Sequence, residues 1–313
     1  MPVMDVLAAV LAVAGVRGTI GATVNAAEPW GIALDNVPGA AFHAITDGTA
    51  WLSVGGRPDV RLMPGDIVLL PAGTVHVLAS GPGVRSQSWD RLATAQALPP
   101  GGELTVGSGT VQTRILCASY YQDPAVTLPL LSLLPDLLHI PADRANPGLD
   151  AALRLLSHEL GQSQPGATAV LNRIVDILLV QILRIWLASG APAGPGSWLS
   201  ALTDPVAGPA LAALHDQPGR SWTADSLAAS VGVSSATLVR RFTAKVGQSP
   251  TAYLTRWRMD LAAQRLRDTD ETVGAIARNL GYTSEYAFNR AFTRHRRTPP
   301  GRYRSQSRSA KAL

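Results

Sequence analysis

The chain of 313 residues carries one cysteine, Cys117. A single thiol excludes an internal disulfide framework, an intramolecular two-thiol switch and any multi-cysteine zinc or iron–sulfur site. Lysine is almost as scarce. Lys245 and Lys311 are the only two among 27 basic side chains, so basicity rests on arginine. A GC-rich genome and selection for phosphate contacts both produce that bias. Charged residues make up only 16% and hydrophobic residues 46%, too apolar and too little charged for a disordered chain. Long apolar runs are missing too. The run from Val6 to Val16 is short, has Asp5 where a signal peptide needs a basic stretch, and cannot span a bilayer. The longer run Leu171–Leu187 is interrupted by Arg173, Asp176, Gln181 and Arg184. Both are expected to be helices of a cytoplasmic protein.

What is present divides in two. The length suits about two domains. The formal net charge of +5 is the sum of −4 up to residue 200 and +9 from residue 201 onward. The change of sign falls beside Ala188-Ser-Gly-Ala-Pro-Ala-Gly-Pro-Gly-Ser197, a stretch without periodicity. The expected organisation is a first domain at 1–188, a linker at 189–204 and a second domain at 205–313.

In the acidic half, Ala50–Val54, Asp66–Leu70 and Thr113–Cys117 have strand length and strand composition, separated by turn signals such as Val54-Gly-Gly-Arg and Met63-Pro-Gly-Asp. An antiparallel sandwich or small barrel is expected. Beyond residue 125 the pattern becomes helical. Asp150–Leu160 is amphipathic, and Ala169–Ala188 carries Val175, Leu178, Ile182 and Ile185 at 3-4-3 spacing. Leu171, Ile174, Leu179, Leu183, Trp186 and Leu187 widen that stripe. A helix apolar almost all round needs a cover, either a second subunit or its own domain, and a homodimer interface is expected here.

The basic half repeats itself. Leu227-Ala-Ala-Ser-Val-Gly-Val-Ser-Ser235 is matched by Ile276-Ala-Arg-Asn-Leu-Gly-Tyr-Thr-Ser284 at an offset of 49. After one extra residue the offset is 50, pairing Leu238 with Phe288, Arg240 with Arg290, Phe242 with Phe292, Pro250 with Pro300 and Tyr253 with Tyr303. Each copy reads as helix, tight turn, helix. Thr223 and Ser234 cap the two helices of the first copy, with Gly232 at the turn; Thr272, Gly281 and Thr283 take those places in the second. With Leu238/Phe242 and Phe288/Phe292 turned to the core, Ala236, Val239, Arg240 and Thr243 share the outer face of one helix. Tyr286, Asn289, Arg290 and Thr293 share that of the other. Arginine pairs bidentately with guanine and asparagine with adenine in a major groove. The expected DNA contacts are therefore Ser234, Ser235, Ala236, Val239, Arg240 and Thr243, then Ser284, Glu285, Tyr286, Asn289, Arg290 and Thr293. A helix over Thr251–Arg267 would space the two units, and Lys245, Arg294–Arg297 and the remaining arginines would meet phosphates.

Residues 205–305 resemble the paired helix-turn-helix domain of the AraC/XylS transcription regulators. The second unit carries that signature as Ile276-Ala, Gly281-Tyr-Thr-Ser, Phe288-Asn-Arg-Ala-Phe292 and Thr298-Pro-Pro-Gly-Arg-Tyr-Arg304. The resemblance implies a sequence-specific regulator, most often an activator, working with RNA polymerase on double-stranded promoter DNA. Ala236 and Val239 make the first reading face less polar than in many relatives.

Gly65-Asp-Ile-Val-Leu-Leu-Pro-Ala-Gly-Thr-Val-His76 fits G-x5-P-x-G-x2-H and resembles the second cupin motif, with Ser80 where that motif ends in Asn. The order of Trp30, Phe42-His43, Trp51, the Pro-Gly-Asp turn and Cys117 resembles the cupin-type sensor of one AraC/XylS branch. The expected fold is therefore α+β in two domains: a small cupin-like β-barrel with a helical dimerisation segment, then an all-α double helix-turn-helix. His43, Trp51 and His76 are the candidate contacts of a small-molecule effector, with core or turn positions as the alternative. Two histidines fall short of the three or four ligands a stable metal site needs, so neither metal nor cofactor is expected. The competing reading, a metal-dependent cupin enzyme fused to a DNA-binding module, requires a third ligand, and Cys117 has no motif support for that role.

Overall fold

A computed structural model describes residues 5–35, 37, 39–71, 73–122, 131–142, 147–160, 164–189 and 198–311. The described chain packs as two units.

The first is built on sheets. Its strands are β1 (Arg17–Ala26), β2 (Gly31–Leu34), β3 (Ala40–Asp47), β4 (Ala50–Val54), β5 (Val60–Leu62), β6 (Ile67–Leu70), β7 (His76–Ala79), β8 (Gln87–Ser88), β9 (Gly102–Val106), β10 (Thr113–Tyr121) and β11 (Leu138–Ile140). They form a six-stranded sheet ordered β11-β6-β3-β10-β1-β9 and a five-stranded sheet ordered β5-β4-β7-β2-β8, rather than a closed barrel. Most pairs are antiparallel; β1–β9 and β2–β8 are parallel. The strand alternation decides which side chains meet between the sheets. Gly18, Ile20, Ala22, Val24 and Ala26 are the buried residues of β1. Val24 and Ala26 join Ile45, Leu52, Leu70, Leu78, Ile115 and Cys117 in one core.

The three expected strands are present. Asp66 is the exception within them, because it works in the turn. Its Oδ2 accepts from the Met63 amide at 3.0 Å and its Oδ1 from the Ala142 amide at 2.7 Å.

Helices α2 (Trp89–Ala95), α3 (Pro147–Leu160) and α4 (Ala167–Ala188) complete this unit. The apolar stripe of α4, expected to form a homodimer interface or to be covered by its own domain, meets its own unit along much of its length. Leu171, Ile174, Val175, Leu178, Leu179, Ile182, Leu183 and Trp186 are buried, and α4 packs on α3, β1 and β11. The Tyr120 hydroxyl donates to the Val175 carbonyl at 2.8 Å, and the Asp176 carboxylate accepts from the Gly18 amide at 2.7 Å. The sheet behind the helix covers the stripe.

The second unit is helical: α1 (Val6–Ala14), α5 (Trp198–Ala201), α6 (Ala207–Asp216), α7 (Ala224–Ser230), α8 (Ser235–Val246), α9 (Pro250–Asp268), α10 (Val273–Asn279), α11 (Glu285–Arg296) and α12 (Pro300–Lys311). The apolar run near the start of the chain is α1, capped by Asp5, and it packs on α6 and α9. Gln264 Nε2 donates to the Ala12 carbonyl at 3.3 Å. Of the expected linker, residues 190–197 lie outside the described residues, and α5 packs on α8 and α6. Among the described residues no helix is long and apolar enough to cross a membrane.

Candidate nucleic-acid interface and effector cavity

Each helix-turn-helix assembles from its caps. Thr223 and Ser226 form a capping box at α7, and Ser234 Oγ accepts from the Thr237 amide at the start of α8. Gly232, at φ +72°, makes the turn between them. In the second copy Thr272 caps α10 and Gly281, at φ +79°, makes the turn. The cap of α11 is Ser284, whose Oγ accepts from the Ala287 amide, and not Thr283 as expected. The residue that shifts the repeat offset from 49 to 50 therefore lies before the cap.

The repeat in sequence is also a repeat in packing. The ring of Phe242 meets Tyr253 edge-on, with centroids 5.8 Å apart and planes at 75°. Fifty residues on, Phe292 meets Tyr303 at 5.5 Å and 78°. Leu238, Phe242, Phe288 and Phe292 are fully buried, and this anchoring fixes the opposite faces. Ala236, Val239, Arg240 and Thr243 on α8 are exposed, as are Glu285, Tyr286 and Arg290 on α11; Asn289 and Thr293 are half-buried beside them. Tyr286 is 72% exposed, and the Arg290 guanidinium carbon lies 5.9 Å from its ring centroid. The hydroxyl of half-buried Ser235 donates to Asp225, tying α8 to α7. Ser234 and Ser284 are exposed but spend their oxygens on helix caps.

The expectation that the remaining arginines meet phosphates is corrected for several of them. Arg296 is buried against Asp260, with Nη2 to Oδ1 at 2.5 Å. Arg258 donates to the carbonyls of Pro218 at 2.6 Å and Arg220 at 2.9 Å. Arg267 pairs with Asp268, Arg265 with Glu271 and Arg241 with Asp204. Arg304 bonds the Glu271 carbonyl. A guanidinium has five donors, and burial obliges them to find acceptors within the fold. Arg240, Arg290, Arg294 and Arg297 stay exposed.

In the sheet unit, β3, β7 and β10 bring three groups together that lie far apart in sequence. His43 Nδ1 lies 3.1 Å from Cys117 Sγ, and its Nε2 lies 2.8 Å from His76 Nε2. His76 Nδ1 lies 2.7 Å from the Thr74 carbonyl. A carbonyl only accepts, so every proton follows from that end. His76 donates from Nδ1, His43 donates from Nε2 to His76, and the Cys117 thiol donates to His43 Nδ1. Burial, with His76 beside it, holds His43 well below its ordinary pKa, and burial also lowers His76. Burial pushes the Cys117 thiol up to about 12. The relay is neutral, and both nitrogens of His43 are committed to it. Among the described residues no group of three or more His, Cys, Asp or Glu side chains is placed to hold a metal ion.

His43 and Cys117 border a cavity of about 360 Å³, lined also by Ile20, Leu34, Asp35, Trp89, Asp90 and Leu98. Among the three effector candidates, then, His43 faces the cavity and His76 bonds to His43. Trp51 is not in the lining; it sits on β4 opposite Ala79 and Arg61, on the other sheet, and its candidacy is corrected. Asp35, Trp89 and Asp90 escaped the sequence reading. They sit next to strand ends, where no motif marks them and only the fold brings them to one opening.

Two reading helices held by a repeated aromatic core, in a chain that also carries a two-sheet unit with a cavity, define a two-domain DNA-binding regulator. The comparisons name the family. The Cupin family profile matches residues 5–188, and the Helix-turn-helix domain profile matches residues 227–306. An AraC-like transcription regulator of Streptomyces lividans is 36% identical, over 96% of this chain and 98% of its own. The HTH-type transcriptional regulator AlkR of Acinetobacter baylyi is 30% identical, over 85% and 87%. Among solved structures, the DNA-binding domain of AdpA, the global transcriptional factor, in complex with a target DNA, is 27% identical, covers 36% of this chain and 99% of that one, and has a TM-score of 0.34. The chain belongs to the AraC-type DNA-binding transcriptional regulators with a cupin-like N-terminal domain. These relatives are named regulators, which sets the enzyme reading aside.

Proposed function

We propose that the protein is a ligand-responsive activator that binds double-stranded promoter DNA as a homodimer. In this reading residues 1–188 sense and dimerise, 189–204 link, and 205–313 bind DNA. The observation that carries it is the duplicated reading face, with Arg240 and Arg290 exposed at equivalent helical positions. Arg240, Arg290 and Asn289 read base edges, Val239 and Tyr286 offer apolar contact, and the N-termini of α8 and α11 at Ser234 and Ser284 receive phosphates. Dimerisation is supported by Leu155, Val170 and Ile177, the large apolar side chains that α3 and α4 leave exposed. The partnership with RNA polymerase and the activating sign follow from the family resemblance. A chromosomal DNA partner puts the protein in the cytoplasm.

The test is binding of fragments from the protein's own promoter region across a salt series. Arg290→Ala is expected to weaken specific binding by about 1–3 kcal/mol and to leave random-sequence binding nearly level. Unchanged specific binding would overturn the assignment of Arg290.

A further inference from the structure

The cavity in the sheet unit, which the hydroxyl side chains of Thr19, Ser88, Ser119 and Tyr121 also line, carries charge of one sign. Its walls are largely apolar, from Ile20, Leu34, Val37, Trp89, Leu98 and Pro99. Its volume of about 360 Å³ lies within the range of small-molecule sites. Its charged lining residues among those described are two carboxylates, Asp35 and Asp90, both exposed. No arginine or lysine is among the described lining residues. His43 offers no compensating charge, because burial keeps it neutral and its single N–H is given to His76. The Cys117 hydrogen is likewise spent on His43. What the relay turns toward a guest is sulfur lone pairs, which accept. A carboxylate or phosphate guest would face two negative charges and find no cation. A guest that brings its own donors and positive charge satisfies both Asp35 and Asp90.

We propose that this cavity binds an apolar molecule bearing a protonated amine, its ammonium at Asp35 and Asp90 and its hydrocarbon body against Ile20, Leu34, Trp89 and Leu98. The proposal rests on the effector-responsive reading and names the chemical class of the effector. The acceptor-rich mouth provides orientation, and the apolar walls provide most of the burial. The same arrangement discriminates, since an acid of equal length loses the ion pairs and gains repulsion.

Three probes of one size separate the terms: 4-phenylbutylamine, 4-phenylbutanol and 4-phenylbutyrate, each titrated calorimetrically into the full chain. The amine is expected to bind about tenfold more tightly than the alcohol, with the acid weakest, and its advantage is expected to shrink at high salt. The double variant Asp35→Asn/Asp90→Asn removes that tenfold advantage and leaves alcohol binding unchanged. Both positions are exposed, and an unchanged melting temperature of the variant confirms that its fold is intact. Ala93→Trp, which fills the cavity, abolishes binding of the amine. The proposal is overturned if the acid binds as tightly as the amine, if the double variant leaves amine binding unaltered, or if the amine does not bind. DNA binding by the same preparation is measured in parallel. Its presence keeps the regulator reading standing when the amine class fails, and its absence would overturn that reading separately.

Discussion

The Nε2 atoms of His43 and His76 lie 2.8 Å apart inside the sheet unit, and one proton holds them together. That proton belongs to His43, because His76 has already given its own to the Thr74 carbonyl. A second proton on either ring would set two donors against each other in a buried site. Burial depresses both pKa values below the ordinary 6.5. The unfolded chain therefore binds more protons in the window from about 6.5 down to the folded values. Stability from this pair is fully present above 6.5 and is lost as the pH falls through that window. Thermal unfolding followed between pH 7.5 and 5 is expected to show a falling melting temperature. His43→Gln, which keeps an amide in the relay, is expected to start lower and fall less steeply.

The same relay protects the thiol. Cys117 is 5% exposed and its pKa stands at about 12, so almost no thiolate exists at pH 7. Alkylation by iodoacetamide is expected to be far slower in the native chain than in denaturant. Equal rates would show that the thiol is open to solvent in the native chain.

Arg294 is exposed on the reading side of α11, whereas Arg296, two residues on, is sealed against Asp260. Arg294→Ala is expected to weaken binding to specific and random DNA alike and to lower the salt slope by about 1. Arg296→Ala is expected to act through folding instead. It leaves the Asp260 carboxylate, buried at 2% exposure, without its guanidinium, at a cost of about 3–5 kcal/mol. Urea denaturation of the two variants separates the roles.

The two turn glycines are not equivalent. A Cβ at Gly232 meets open space, so Gly232→Ala bears only the strain of positive φ, about 1–2 kcal/mol. A Cβ at Gly281 runs into the carbonyl oxygen of Gly219. Gly281→Ala is expected to be the more destabilising, with the second unit losing DNA binding first. The contrast is measured by melting temperature and by binding to isolated half-sites.

Much of the DNA-binding unit is written locally. The helix-turn-helix depends on caps at Thr223, Ser234 and Thr272, on Gly232 and Gly281 at positive φ, and on Leu238/Phe242 and Phe288/Phe292 one helical turn apart. All are short-range features with side-chain rules of their own, and the duplication states them twice. Thr283 misled because a one-residue insertion beside a cap is invisible when neighbouring Thr and Ser both suit the position. The arginines misled for another reason. Arginine in a basic half reads as a phosphate contact, and nothing in the local pattern distinguishes exposed Arg294 from buried Arg296.

By itself the sequence determined a basic, duplicated, arginine-bearing DNA-binding half, an acidic strand-rich half and a single thiol that closes no internal disulfide. The tertiary structure decided what depends on distant strands and helices meeting. It placed His43, His76 and Cys117 in one relay although they lie 74 residues apart at the extremes. It gathered Asp35 and Asp90 at one cavity, and it covered most of the α4 stripe with β1 and α3. Periodicity records which side of an element is apolar. Which neighbour covers that side, and which polar groups are buried together, follows only when the sheets close over their shared core.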